Sequence, residues 1–483
     1  MVVGSGPNGL AAAITIAQAG RSVLVLEAEA EIGGGTRSEP LTLPGYVHDV
    51  CSAIHPLAHA SPFFRSLPLA KFGLEWSYPP VELAHPLDDA PPVLLHRSVE
   101  KTAGGLGRDA HAYQSLFGPL VRNWDHIITE FLAPAHLFRH PIAVSRFGLH
   151  AVRSASGLAR GKFREARTRG YFAGLAAHSV LPLTSRMTAS FGLMLGITGH
   201  GVGWPIARGG SGMIARAMSE CLKSLGGEIR CNRRVESLDE IPKARAVLFD
   251  VTPRQLLNIA GKHFPSSYAS KLKRYRYGPG VFKIDYALDG PIPWKAPECR
   301  LAGTVHLGPS LEEIERSEQD VWDGAVPKVP YVLVAQQSLF DPRAPDGKHT
   351  GWAYCHVPNG EPSDASAFIE AQIERFAPGF ASRILERHAM NPAAFEQHNQ
   401  NYVGGDISGG SNDLSQLPMR PFPTLDPYST PAEGIYMCSS STPPGGGVHG
   451  MCGYFAAKRA LKRLGRKARP QSERMSATVN GRE

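Results

Sequence analysis

Val2-Val3-Gly4-Ser5-Gly6-Pro7-Asn8-Gly9 opens the chain after one methionine, and an alanine-rich stretch from Leu10 to Ala19 leads to the apolar run Val23 to Leu26 and then Glu27. A strand, a GxGxxG turn, a helix, a second strand and an acidic residue at its end make a dinucleotide-binding βαβ unit. Gly4 permits the tight turn, Gly6 lets the backbone approach a pyrophosphate, and Gly9 lets the helix pack on the strand. Glu27 can accept hydrogen bonds from an adenosine ribose, and Pro7 and Ala28 flank these positions as further cofactor-binding candidates. Just beyond lies Ile32-Gly33-Gly34-Gly35-Thr36-Arg37-Ser38. Gly34, Gly35 and Thr36 can wrap the other side of the pyrophosphate, and Arg37 can neutralise its charge.

A chain of 483 residues has room for two or three domains, and its 51 glycines and 40 prolines point to a turn-rich α/β enzyme. No apolar run reaches the ~18 residues of a membrane span. The seven cysteines include no CxxC pair and no metal-like spacing, so neither a disulfide framework nor a zinc site is indicated, and a reducing compartment fits. No leader precedes the first motif; because the first strand is so short, the start can be clipped, and the cytoplasmic location expected here does not rest on that absence. The net charge of +8 is uneven. Between Arg139 and Arg169, basic residues interleave with Phe147, Leu149, Leu158 and Phe163, and Glu165 is the only acid. That stretch is a candidate peripheral membrane contact or a solvated helical face. Nucleic-acid binding is not expected, because no recognition motif accompanies the charge.

Residues 60–195 read as mostly helical. Met213 to Leu225 reads as a helix ended by Gly226-Gly227, followed by a short strand near Glu228 and another from Ala246 to Val251. Alternation in Tyr277 to Ala287, Val329 to Gln336 and Trp352 to Val357 predicts an antiparallel sheet. A last strand, Gly434 to Cys438, runs into the loop Ser439-Ser440-Ser441-Thr442-Pro443-Pro444-Gly445-Gly446-Gly447-Val448-His449-Gly450 and then a helix, whose N-terminus favours negative charge. The expected division is a discontinuous cofactor domain (1–60, 200–255 and 426–468), a helical cap (61–199), a substrate domain (256–425) and a disordered tail (469–483).

Together the opening turn, Glu27, Gly33 to Arg37, Gly404-Gly405-Asp406-Ile407, Tyr428-Ser429-Thr430-Pro431 and Pro444 to Gly450 resemble the phytoene desaturase-like branch of FAD-dependent oxidoreductases. Within it the chain most resembles the pyridine nucleotide-disulfide oxidoreductase domain-containing 2 group. The resemblance implies an α/β fold: a discontinuous Rossmann-like FAD-binding domain with an inserted α+β substrate domain, as in amine oxidases and phytoene desaturases. It implies that Gly4, Gly6, Asn8 and Gly9 hold the pyrophosphate and Glu27 the ribose. Arg37 would hold the region between pyrophosphate and flavin, Val235 would meet the adenine, Ser440 the pyrophosphate and ribityl chain, and the amides of Val448 and His449 the flavin ring, with Gly447 beside them in the cofactor-binding set. No vicinal cysteines support the disulfide in the group's name.

One fingerprint means one dinucleotide, since Gly209-Gly210-Ser211-Gly212 is too short for a second. Electrons from a substrate then leave to oxygen or a quinone, or return in an isomerisation. The resemblance implies a hydrophobic substrate (isoprenoid, polyene or fatty-acyl) that is desaturated, saturated or isomerised by hydride transfer at flavin N5. A flavin amine oxidase and a non-catalytic flavin-bearing interaction protein are the alternatives, and an oligomer is open. His449, His200 and His55 are the candidate proton-transfer residues, each equally readable as a loop histidine bonded to backbone. Asp406 reads as a turn former, and Lys283 as a strand-surface lysine with a thin likeness to the flavin-proximal lysine of amine oxidases.

Overall fold

Five short parallel strands lie side by side in the order Ile435–Met437, Val247–Phe249, Val2–Val3, Leu24–Leu26 and Glu228–Arg230. Apart from Val2–Val3 and Leu24–Leu26, neighbours in the sheet are thus far apart in sequence, and strands from both ends of the described chain enter it. These relations come from a computed structural model that describes residues 1–467; the tail expected at 469–483 lies outside the described residues. The central strands are apolar on both faces because helices cover both, as a parallel sheet requires. Pro7–Gln18 buries Leu10 through Ala17, its Pro7 at the first turn where a missing N–H is harmless. Against it pack Gly212–Ser224 and the C-terminal helix Met451–Lys467.

The contact between the two terminal helices is unusually close. A Cβ on Gly453 would stand 1.8 Å from the Asn8 carbonyl oxygen, and one on Gly9 would stand 2.1 Å from the Gly4 carbonyl. Glycine at these two positions is therefore a packing requirement rather than a turn requirement.

A second, seven-stranded sheet runs Ile384–Met390, Gly280–Leu288, His349–Val357, Val332–Ala335, Ala302–Leu307, Val81–His85 and Val93–Leu95. All neighbours are antiparallel except Ala302–Leu307 with Val81–His85. The three strands expected here from alternation form its centre. The segment 61–199, expected to be mostly helical, also gives Val81–His85 and Val93–Leu95 to this sheet and Trp76–Ser77 to a two-stranded one with Ile206–Ala207. Val81–His85 is buried throughout, so Glu82 and His85 give no outward-facing polar rhythm to read; Glu82 instead accepts from the Trp204 N–H at 2.5 Å. Ile384–Met390 was also unread: as an edge strand it is mostly exposed and carries Glu386, Arg387 and His388.

From Val99–Gly104 onward the segment is mostly helical and ends in the long apolar helix Thr188–Gly201, against which Ala110–Val121, Pro141–Ala151 and Ala166–Ala177 pack. Among the described residues no helix is long and apolar enough to cross a membrane.

Gly453→Ala is expected to destabilise the protein by roughly 1–3 kcal/mol or more through overpacking. Gly465→Ala, on the same helix with open space around it, is expected to be neutral or slightly stabilising. Thermal unfolding of the two variants beside wild type measures the difference.

Candidate dinucleotide and substrate site

One cavity of about 750 Å³ starts at Val235 and Arg234, runs beneath the glycine turn and ends among Phe131, Phe191 and Met194. That volume is in the upper range for small-molecule sites. Of the sixteen positions expected to hold the cofactor, all line this cavity except Gly9, Thr36 and His449. Gly9 is consumed by helix packing. Thr36 is fully buried and donates its hydroxyl to the Gly33 carbonyl at 2.9 Å.

At the dinucleotide end the two glycine clusters touch. Gly34 has φ +52°, and a Cβ there would come within 3.1 Å of Gly6 Cα. Glu27 sits at the tip of its strand, accepting from the Ser5 N–H (2.8 Å) and hydroxyl (2.5 Å) and from the Glu29 N–H (3.0 Å). A carboxylate has about four acceptor positions, so it can still take a ribose hydroxyl. Asn8 Oδ1 is buried without a partner among the described residues, while its Nδ2 lies 3.4 Å from Ser440 Oγ, joining the first motif to the last loop. Arg37 donates to the carbonyls of His398 (2.8 Å) and Gly34 (3.3 Å), so its charge is uncompensated by any bonded carboxylate among the described residues. An orphaned amide oxygen, side-chain-free backbone on two sides and a buried cation fit an FAD diphosphate and its sugars.

Two groups here escaped sequence reading. Arg420 is fully buried and donates to the carbonyls of Ser440 (2.8 Å), Ser408 (3.1 Å), Gly410 and Ser411 (3.2 Å) and to the Asn412 amide oxygen (3.0 Å), clamping the loops that wall the cavity beside Ser440. An isolated arginine in a polar loop carries no sequence signal of that role. Asp250 follows the strand Val247–Phe249 and accepts the Gly9 N–H at 2.8 Å, on the side where Gly6 lacks a Cβ. Burial, with Glu27 adding to it, pushes its carboxyl up to about 7 despite the Gly9 bond.

The other end is mostly apolar. Val281, Leu333 and Ala335 of the seven-stranded sheet face Phe191, Met194 and Leu195 of Thr188–Gly201. Trp352 and Tyr354 meet edge-to-face with centroids 5.0 Å apart. Lys283 lines the same wall; it is 1% exposed, paired with Asp285, and 5.8 Å from the Trp352 ring. It is therefore not the strand-surface lysine expected, because that strand is covered on both faces. Every carboxylate that lines the cavity (Glu27, Glu29, Glu236 and Asp250) belongs to the dinucleotide end.

The candidate histidines separate. His55 lines the cavity, with Nε2 2.8 Å from Ser211 Oγ and Nδ1 unpartnered among the described residues; burial lowers its pKa to about 4, so it is neutral. His200 is placed elsewhere, bonded to the Tyr113 hydroxyl (2.8 Å) and close to the Arg97 carbonyl (3.2 Å). His449 turns back into its own loop: Nδ1 accepts the Met451 N–H at 3.0 Å and Nε2 lies 3.2 Å from the Gly445 carbonyl. It caps the C-terminal helix, so one of that helix's free N–H groups is already satisfied. Asp406 accepts from the N–H groups of Gly278 and Ser408, as a turn former does. Among the described residues no cluster of His, Cys, Asp and Glu could hold a metal ion.

With this geometry in view, comparison with known proteins adds four likenesses. Residues 2–67 match the NAD(P)-binding Rossmann-like domain family. The chain is 24% identical to the pyridine nucleotide-disulfide oxidoreductase domain-containing protein 2 of Mus musculus, over 96% of this chain and 93% of that one. It is 27% identical to one component of the limonene dehydrogenase of Castellaniella defragrans, over 28% of this chain and 24% of that one. Its fold matches that of putrescine oxidase bound to putrescine at a TM-score of 0.59 and 17% identity, covering 96% of this chain and 98% of that one. The fold is therefore one shared with putrescine oxidase, a Rossmann-like domain joined to a mixed sheet.

Asp250→Asn tests the strained carboxyl. A folded-state pKa near 7 against 3.8 unfolded means that wild type loses stability as pH rises from about 4 to about 7. The amide, which keeps an acceptor for Gly9, is expected to be more stable than wild type by on the order of 4 kcal/mol above pH 7, the gap closing toward pH 5. Denaturant unfolding of the cofactor-free proteins at pH 5 and pH 8 checks this.

Proposed function

We propose that the protein is an FAD-dependent oxidoreductase acting on a carbon–carbon bond of a hydrophobic substrate, an isoprenoid, polyene or fatty-acyl chain, with oxygen or a quinone as electron acceptor unless the reaction is an isomerisation. The observation that carries this reading is the division of one cavity into a polar dinucleotide end and an apolar end that, among the described residues, no carboxylate lines. An ammonium substrate would enter that apolar end without a counter-charge and beside Lys283, a desolvation penalty with no compensation. A neutral hydrocarbon meets no such penalty and gains from burying its surface. The local likeness to a limonene dehydrogenase component supports the same substrate class.

FAD, when bound, supplies the hydride acceptor at its N5. The chain's own part is positioning: Asn8, Glu27, Arg37 and Ser440 hold the dinucleotide, Trp352 and Leu333 hold the substrate against it, and the apolar walls exclude water. His55 is neutral and is the candidate to take or return a proton at Nδ1. A second reading, an amine oxidase, is favoured by the aromatic pair Trp352 and Tyr354 and by the fold shared with putrescine oxidase.

Anaerobic mixing of the FAD-reconstituted protein with substrates separates these readings. Lipophilic alkenes or acyl chains are expected to bleach the visible flavin absorbance, and amines are not. Bleaching by amines alone would establish the second reading, and no bleaching by either class together with no isomerised product would leave a flavin-bearing interaction protein. Failure to retain FAD at all would remove the premise.

A further inference from the structure

Large apolar side chains crowd the surface between residues 137 and 152. Leu137 is 95% exposed, Ile142 and Leu149 are each 70% exposed, and Phe138 and Val152 are more than half exposed. No other stretch of the described chain concentrates exposed apolar side chains in this way. The helix Pro141–Ala151 explains why they point outward. Ala143, Phe147 and Ala151, spaced by four, are its buried face, so Ile142, Arg146 and Leu149 share the opposite one. An ordinary surface helix would carry polar residues there.

The charge around this face has one sign. From Phe131 to Arg164 the sequence contains no Asp or Glu. Arg139 and Arg146 are exposed, and neither has an ion-pair partner among the described residues. The nearest acid, Glu130, is turned inward, where it accepts from the N–H groups of Arg139 and His140 and meets the rings of His136 and His140. The surface is narrower than the 139–169 stretch read from the sequence. Leu158 and Phe163 are buried, and Arg160 is paired with Glu312 and Glu315, so the second half belongs to the protein's own packing.

Behind this face lies the cavity. Phe147, on the inward side of Pro141–Ala151, meets Phe131 edge-to-face at 6.3 Å, and Phe131 lines the apolar end. An isolated apolar patch would fit another protein, but exposed apolar side chains interspersed with unpaired arginines match the boundary between acyl chains and anionic headgroups.

We propose that residues 137–152 form a docking surface for an anionic lipid bilayer, with Leu137, Phe138, Ile142 and Leu149 entering the acyl boundary and Arg139 and Arg146 among the headgroups. The inference is independent of the reaction, since bilayer binding is read without turnover.

Cosedimentation of the full chain with phosphatidylcholine vesicles, with and without about a third phosphatidylserine, tests it. Wild type is expected to bind the anionic vesicles and to be released from them by salt. Ile142→Ser with Leu149→Ser, and separately Arg139→Gln with Arg146→Gln, are each expected to weaken partitioning roughly tenfold or more while leaving the unfolding temperature unchanged. Wild type that sediments no more with anionic vesicles than without them would overturn the proposal, whatever the variants do. So would well-folded variants that bind like wild type. A wild-type dimer that Ile142→Ser with Leu149→Ser converts to monomer, with no vesicle binding, would assign the face to a second copy of the chain instead.

Discussion

The crossing of the two terminal helices is the constraint on which the site depends. Pro7–Gln18 begins at the glycine turn and Met451–Lys467 begins at the Gly450 end of the last loop. Because Gly453 has no side chain, the helices approach until one backbone rests on the Asn8 carbonyl. That approach brings Ser440 to Asn8 and sets Gly447 and Val448 on the wall of the same cavity as Gly4 and Gly6. Separation of the helices by one methyl group would shift the two halves of the site apart, and positioning errors near an ångström are enough to impair catalysis.

Charge is distributed along the cavity in a way that apolar packing alone would not produce. Arg37 and Arg420 stand near the dinucleotide end with backbone carbonyls and the Asn412 amide oxygen as their bonded partners, while Glu27 and Asp250 accept from backbone N–H groups. At the apolar end Lys283 is matched by Asp285, two residues along the same face of the strand. His48 lies 3.6 Å from Asp285, but burial together with Lys283 lowers its pKa to about 3, so it contributes as a neutral dipole rather than a second cation. The lysine therefore keeps a single counter-ion among the described residues, and the cavity beyond it stays free of negative charge.

Much of this was legible where local physics dictates the residue type. The Rossmann unit reads from Gly4 to Glu27 because a tight turn, a close helix and a ribose each need a particular side chain or none. The central strands of the second sheet read from alternation. Glu82 defeated that rule: it lies on a strand buried on both faces, where its carboxylate is satisfied by a distant chain segment, the Trp204 N–H. Arg420 and Asp250 were missed for a related reason, since their partners come from loops that only the folded chain assembles. His200 and His449 show the converse, titratable side chains in motif-rich sequence whose ring nitrogens are already bonded to a tyrosine hydroxyl or to their own loop.

The same logic explains why the dinucleotide end is more readable than the substrate end. A diphosphate must be met by backbone N–H groups, and backbone can be exposed in this way only by glycine and by helix starts, which leave a pattern in sequence. An apolar substrate asks only for volume and the absence of unpaired charge, which Val281, Leu333, Phe191 and Met194 provide just as core residues would. What distinguishes that end is a property of the assembled surface: one lysine held by one aspartate, a neutral histidine, and no carboxylate within the described lining. On the proposed function, selectivity at that end would follow from what is excluded, and exclusion becomes visible only when elements from separated stretches of chain have closed around the same space.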